Sequence, residues 1–174
     1  MERGHQQTLL EIDRGNFREL YHSQIMAVQA DAQAIPFPAG RFDAVIAVQL
    51  FGLIPDEDRF FAELGRVMRP GGCLFISWTN RASLKGWLYS SYSALKGTPQ
   101  AERHGFYQHS HTRNLALMQS HGFTPLYIEG YSWQMLPRSH DGPLVDLMVG
   151  LERGLGLHRW PAASPNVILA ARKA

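Results

Sequence analysis

Gln29-Ala-Asp-Ala-Gln-Ala-Ile-Pro-Phe-Pro38, Arg41-Phe-Asp-Ala-Val-Ile-Ala-Val48 and Leu64-Gly-Arg-Val-Met-Arg-Pro-Gly-Gly-Cys-Leu-Phe-Ile76 follow one another through the middle of the chain. Ile25 to Val28 form a short apolar run that ends on Gln29-Ala30-Asp31, as a buried parallel strand hands over to a loop at its carboxyl end. Pro36, Pro38, Ala39 and Gly40 make a turn. Phe42 to Val48 is a second apolar strand, interrupted only by Asp43, with Gln49 at its exit. Pro55-Asp56-Glu57-Asp58 then supplies the acidic first turn of a helix in which Phe60, Phe61, Leu64, Val67 and Met68 recur at helical spacing. Arg66 and Arg69 complement its C-terminal end, and Pro70-Gly71-Gly72 stops it. Cys73 to Trp78 reads as a third strand, parallel to the second because a helix-length crossover separates them. This order predicts a βαβ unit of a doubly wound, Rossmann-like α/β domain.

These three segments, in this order and spacing, resemble the class I S-adenosylmethionine-dependent methyltransferases, the broad group that includes the quinone-biosynthesis C-methyltransferases. The ending Asn166-Val-Ile-Leu-Ala-Ala-Arg-Lys173 looks like that family's last strand. The resemblance implies S-adenosyl-L-methionine as cofactor, with Asp31 accepting from the adenine amino group and Ala32 beside it. Val48 and Gln49, just past the family's fourth strand, would lie along the methionine part. The chemistry of adenine is consistent with this: an exocyclic amino donor needs an acceptor at a strand end, and apolar side chains suit its faces. The bland alternative for Asp31 is a turn or capping aspartate.

Family members open with a glycine-rich loop after a central first strand, where bare backbone approaches the cofactor. The candidate here, Leu10-Glu-Ile-Asp-Arg-Gly-Asn-Phe17, has one glycine where about three are usual for that loop. A second reading fits better. Glu11 and Asp31 stand twenty residues apart, close to the family's spacing between its ribose-binding and adenine-binding acids. Glu11 would then accept from the ribose hydroxyls, Asp13 would cap a helix burying Phe17, Leu20 and Tyr21, and His22-Ser23-Gln24 would be its exit. The chain would thus begin at the family's second strand, giving a fold expected to be mostly parallel and N-terminally incomplete, with a tendency to self-associate through unpaired strand edges. The alternative for Glu11 is a surface carboxylate.

Composition sets outer bounds. With 174 residues, 45% hydrophobic and 18% charged, the chain suits a single domain spanning 1–174. Seventeen Lys and Arg against fifteen Asp and Glu, without a basic run, argue against nucleic acid as partner. The lone Cys73 falls inside a predicted strand as a small buried hydrophobe and excludes a disulfide within one chain. The first residues lack the apolar core of a signal peptide, and no apolar stretch reaches spanning length, so a cytoplasmic location is expected. No metal-ligating set stands out.

Asn80 to His111 carries Trp87, Leu88, Tyr89, Tyr92, Leu95, Phe106 and Tyr107 and falls where the family often inserts a cap, so 80–111 is expected to shape an acceptor pocket, or else to pack its aromatics on the sheet. Thr112 to Gly122 reads as a short helix with Leu115, Leu117 and Met118 inward, Pro125 to Leu136 as a strand, Leu144 to Leu155 as an amphipathic helix, and Asn166 to Arg172 as a closing strand. Pro161 to Pro165 is a loop.

Methyl transfer asks mainly for alignment of an already activated group, with a general base only where the nucleophile must lose a proton. Relatives often carry a histidine after the fourth strand, where this chain has Gly52 and Leu53. Tyr107, His109 and His111 are the next candidates, each more often a packing or surface residue, and the catalytic residue stays unassigned. The leading expectation is a methyltransferase acting on a small-molecule acceptor. A non-catalytic relative serving as a partner subunit is the alternative. A nicotinamide-binding domain is disfavoured, because its glycine fingerprint is missing and the Pro-Gly-Gly turn precedes a strand.

Overall fold

The computed structural model describes residues 8–11, 26–95, 109–133 and 143–174. In chain order these hold β1 (Thr8–Glu11), β2 (Met26–Gln29), β3 (Phe42–Ala47), α1 (Glu57–Val67), β4 (Met68–Thr79), α2 (Leu84–Leu95), α3 (His111–Ser120), β5 (Phe123–Tyr131), α4 (Pro143–Gly154) and β6 (Asn166–Lys173). β1 and β2 form a parallel pair in the register Thr8 with Met26 through Glu11 with Gln29. The other four strands form a mixed sheet in the order β3-β4-β6-β5. β3 and β4 run parallel, as the crossover predicts, and β6 runs against both its neighbours. The one reversed strand, β6, lies between β4 and β5, so β3, β4 and β5 run parallel as expected and the sheet as a whole is mixed. Among the described residues, β1 and β2 share no ladder with β3.

Helix α1 begins where its sequence says it should. Asp56 caps it, its carboxylate accepting the Arg59 N–H at 3.0 Å, and Glu57 and Asp58 sit at the positive end of the helix dipole. Its buried face is Phe60, Phe61, Leu64 and Val67. Phe61 is fully buried, with the rings of Phe51, Phe60 and Phe123 5.4 to 6.1 Å away. Truncating such a ring to alanine typically costs about 3–5 kcal/mol.

The end of α1 corrects one expectation. The helix stops at Val67, and Met68 and Arg69 belong to β4 rather than to the last helical turn. Arg69 precedes Pro70, whose ring disfavours a helical conformation at the residue before it. Met68 therefore pairs with Phe42, and Arg69 reaches sideways, donating to the Gly40 carbonyl at 3.0 Å and to Asp43 at 2.6 Å. The chain then bulges. Gly71 takes φ +79°, and a side chain at Gly72 would lie 2.9 Å from the Arg69 carbonyl, so only glycines fit before the ladder resumes with Ala44 opposite Cys73. Cys73 itself is half-buried rather than buried.

The remaining elements follow the expected order with shifted ends. α3 starts at His111, capped by Ser110, and buries Met118 while Leu115 and Leu117 pack partly inward. β5 begins at Phe123, two residues before Pro125, and is described to Tyr131. The expected helix 13–22 and Tyr107 lie outside the described residues. No helix among those described is long and apolar enough to cross a membrane.

Candidate functional site

The turn after β2 is held by a short chain of bonds. One Asp31 carboxylate oxygen accepts the Gln33 backbone N–H at 2.8 Å, and the Gln33 side-chain carbonyl accepts the N–H of Asp56 at 3.0 Å. Asp56 is the cap of α1, the helix that follows the exit of β3. The turn after β2 is thereby tied to the start of α1. Glu11 stands level with Gln29 at the end of β1, two residues short of Asp31 along the neighbouring strand. Adjacent parallel strands lie about 4.8 Å apart. Two acidic residues therefore terminate side-by-side strands.

Further along the same turn, Arg66 acts as a clamp. Its guanidinium donates to the carbonyls of Phe37 at 2.6 Å and Ile35 at 2.7 Å and pairs with Glu63 at 2.7 Å, while Glu63 accepts the Ile35 N–H at 2.8 Å. The Arg66 bond holds the Glu63 carboxyl below its ordinary range, against the opposing pull of partial burial. An exposed pair of this kind contributes about 1 kcal/mol or less by itself. Its positional effect is larger, because four groups of the 35–37 turn and α1 are tied at once. Ala32, Ile35 and Phe37 pack against the main core behind it.

Asp31 is half-buried and its carboxylate already serves its own turn, accepting from the Gln33 backbone and side chain. The turn-aspartate alternative is thus part of what the structure contains. A carboxylate offers about four lone-pair sites, so capacity remains for an external donor. An adenine amino group and a ribose diol are both donors, and the acidic ends of β1 and β2 match that donor set.

At the exit of β3, Val48 is exposed and Gln49 adopts φ +57°, the left-handed region that a residue with a side chain rarely takes. The backbone N–H of Gln49 donates to the buried Ser77 hydroxyl at 2.8 Å. Its side-chain amide donates to the Tyr131 hydroxyl at 2.6 Å, although Tyr131 ends β5 on the other side of the sheet. Ser132, the next residue, is the other left-handed non-glycine among those described, at φ +69°. Strain of this kind concentrates at functional mouths. Ser77 and Tyr131 are partners of Gln49 that sequence reading missed, since no local pattern marks a tyrosine that reaches across two strands.

Asn80 holds the edge of this mouth together. Fully buried at the end of β4, it donates to the carbonyls of Ala162 at 2.8 Å and Ser164 at 3.1 Å and accepts the backbone N–H groups of Ala82 and His111, each at 3.1 Å. The start of α3 and the 161–165 loop are fixed through one side chain.

The expected base candidates take other places. His111 is buried with its ring 5.7 Å from that of Trp78, and burial pushes its pKa down, favouring the neutral ring. His109 faces Glu57 at 3.4 Å, and Arg113 pairs with the same carboxylate. Both histidines thus link α1, β4 and α3. Gly52 and Leu53 lie in a 3-10 turn, Phe51–Leu53. Beyond them, α2 leaves Leu84, Trp87 and Leu88 exposed rather than packed on the sheet. Among the described residues no group of three His, Cys, Asp or Glu could hold a metal ion.

Residues 2–76 match the family model of the methyltransferase domain. The ubiquinone/menaquinone biosynthesis C-methyltransferase of Hahella chejuensis is 38% identical over 95 residues, covering 51% of this chain and 37% of that protein. The fatty-acid O-methyltransferase of Mycolicibacterium smegmatis is 53% identical over 45 residues, covering 26% of this chain and 16% of that one. The chain thus spans well under half the length of these relatives. Among solved structures, a SAM-dependent methyltransferase of Thermotoga maritima, described as a possible histamine N-methyltransferase, superposes with a TM-score of 0.68 at 15% identity, over 95% of this chain and 72% of that one. That likeness establishes the Rossmann-like fold.

Proposed function

We propose an enzyme that transfers a methyl group from S-adenosyl-L-methionine to a small-molecule acceptor, a reading supported by the match of residues 2–76 to the methyltransferase-domain model and by the Rossmann-like fold shared with a SAM-dependent methyltransferase. The observation that carries the proposal is the Asp31–Gln33–Asp56 chain of bonds, which ties the turn after β2 to the start of α1, the helix that follows β3. Glu11 would accept from the ribose hydroxyls, and Asp31, with Ala32 beside it, from the adenine amino group. Val48 and Gln49 would flank the methionine end. When bound, S-adenosylmethionine supplies an activated methyl group on a sulfonium. The chain's own part is to align the acceptor and keep water out.

The relatives' names point to a quinone-like or lipid-like acceptor. The exposed apolar side chains Leu84, Trp87 and Leu88 of α2 suit a cap over such a molecule, within the 80–111 segment of a single 1–174 domain. A cytoplasmic setting suits a lone, half-buried cysteine. Self-association belongs to the same proposal: among the described residues β3 ends its sheet, with Ile46 73% exposed.

Calorimetric titration with S-adenosylhomocysteine tests the cofactor reading. Asp31→Ala is expected to weaken binding about tenfold or more, since a hydrogen bond to a charged group is worth about 1.5–3 kcal/mol. Asp31→Asn, which keeps an acceptor for the Gln33 N–H, separates loss of the charge from collapse of the turn. Equal affinity in all three proteins would remove Asp31 from the site.

A further inference from the structure

Helix α2 turns its apolar side outward. Ser83, the residue before it, accepts the Gly86 N–H on its hydroxyl at 3.0 Å and donates to the carbonyl of the buried Asn80 at 2.8 Å, so the helix leaves the end of β4 in a fixed orientation. A side chain at Gly86 would lie 2.6 Å from the Arg81 carbonyl, so that side of the helix is pressed on the preceding turn. Leu84 and Leu88 stand two residues to either side of Gly86, about 160–200° round the helix from it, and Trp87 adjoins them. Leu84 is 60% exposed, Leu88 43% and Trp87 61%. We propose that this face docks on the surface of a lipid bilayer rich in anionic headgroups.

Three observations select that occupant. The first is charge: from Gly71 to Ala101 the sequence holds no aspartate or glutamate, while Arg81, Lys85 and Lys96 are positive. An apolar face in a basic surround complements anionic headgroups, each nearby cation strengthening the contact. The second is length. Twelve helical residues reach about 18 Å, too short to cross a bilayer and suited to lying in its interface. The third is the indole of Trp87, whose apolar body and single N–H donor suit the boundary between headgroups and acyl chains. Helix α4 also exposes leucines, Leu147 and Leu151, but Asp146 and Glu152 offset Arg153 along it, so charge separates the two faces. β3 and β4 run parallel, so α2 starts at the sheet end where Gln49 lies, and docking would turn that end toward a bilayer in which a quinone-like or lipid-like molecule dissolves. Docking itself needs no cofactor and does not rest on the methyltransferase reading.

Vesicle flotation tests the assignment, the 174-residue chain being mixed with vesicles of phosphatidylcholine alone or of phosphatidylcholine with phosphatidylglycerol. The chain is expected to float with the anionic vesicles and not with the neutral ones, and added salt should release it. Trp87→Ser should lower the partition onto anionic vesicles about tenfold, the loss of one large apolar side chain, and Arg81→Gln about fivefold, the loss of one charge. Both side chains are exposed, so neither change reaches the core, and Leu88→Ser supplies a second apolar variant. Leu151→Ser on α4 should leave flotation unchanged. Equal binding to both kinds of vesicle, flotation that ignores Trp87→Ser and Leu88→Ser, or a loss in Leu151→Ser as large as in Trp87→Ser overturns the assignment. So does a chain that binds neither vesicle but loses self-association in Trp87→Ser by sedimentation, which would give the face to a second copy. Flotation that depends on Trp87 in a chain that does not take up S-adenosylhomocysteine would sustain docking and sink the methyltransferase reading instead.

Discussion

Gln49 lies two residues past the end of β3 and Tyr131 ends β5, strands separated in the sheet by β4 and β6, yet their side chains meet at 2.6 Å. Gln49 reaches that bond in a left-handed backbone conformation, fixed from below by its N–H on Ser77. The exits of β3 and β5 are therefore joined by a direct side-chain bond.

That bond makes Gln49→Gly informative. Relief of left-handed strain gains about 1–2 kcal/mol, while loss of the Tyr131 bond and the extra chain freedom of glycine cost a similar amount. Unfolding stability in urea should change by less than about 1 kcal/mol, and affinity for S-adenosylhomocysteine should fall. A large loss of stability with cofactor binding intact would mean that Gln49 serves the fold alone.

Glu11 offers a test that separates ribose from base. Two ribose hydroxyls can donate to one carboxylate, so Glu11→Gln should lower affinity for S-adenosylhomocysteine while leaving binding of free adenine nearly untouched. Parallel losses for both ligands would assign Glu11 to the architecture of the β1–β2 pair.

His111 predicts a pH dependence of stability. Its pKa in the fold is pushed below the ordinary 6.5 by burial, so as pH falls the unfolded chain takes up the proton first. Its contribution is intact above about pH 6.5 and is lost as pH falls from there through the depressed folded value. Urea unfolding at pH about 7.5 and 5.5 should show wild type losing more stability on acidification than His111→Phe, the difference isolating this ring. An equal loss in both proteins would falsify the assignment.

The free side of β3 predicts association between copies. Its outer edge carries no ladder among the described residues, and Ile46 and Val48 expose apolar surface beside it. Sedimentation should show mass rising with concentration, and Ile46→Lys should shift the chain toward monomer. A concentration-independent monomer in wild type would count against pairing there.

How much of this was legible beforehand depends on range. The β3-α1-β4 unit could be read because each signal is local: an apolar run, a capping acid, a helical stripe, a Pro-Gly-Gly turn. Even there the helix end was misplaced, since the constraint Pro70 puts on Arg69 and the Phe42–Met68 pairing outweighed the helical spacing of Met68. The acidic strand ends Glu11 and Asp31 were found by spacing along the chain. Their closeness across β1 and β2 came from the parallel register that the spacing permits.

The chain by itself determined the element order, the family pattern and the acidic residues at strand ends, because these depend on neighbours within a few positions. Only the tertiary structure decided that Ser77 would hold Gln49 from below, that Tyr131 would reach across two strands to its side chain, and that Asn80 would bind the 161–165 loop to the start of α3. Those contacts join residues 28 to 84 positions apart, brought together by the burial of Phe61, Leu74, Ile76 and Leu169 in one core. Hydrophobic burial is non-directional, so no local pattern announces which distant polar groups it will bring within bonding distance.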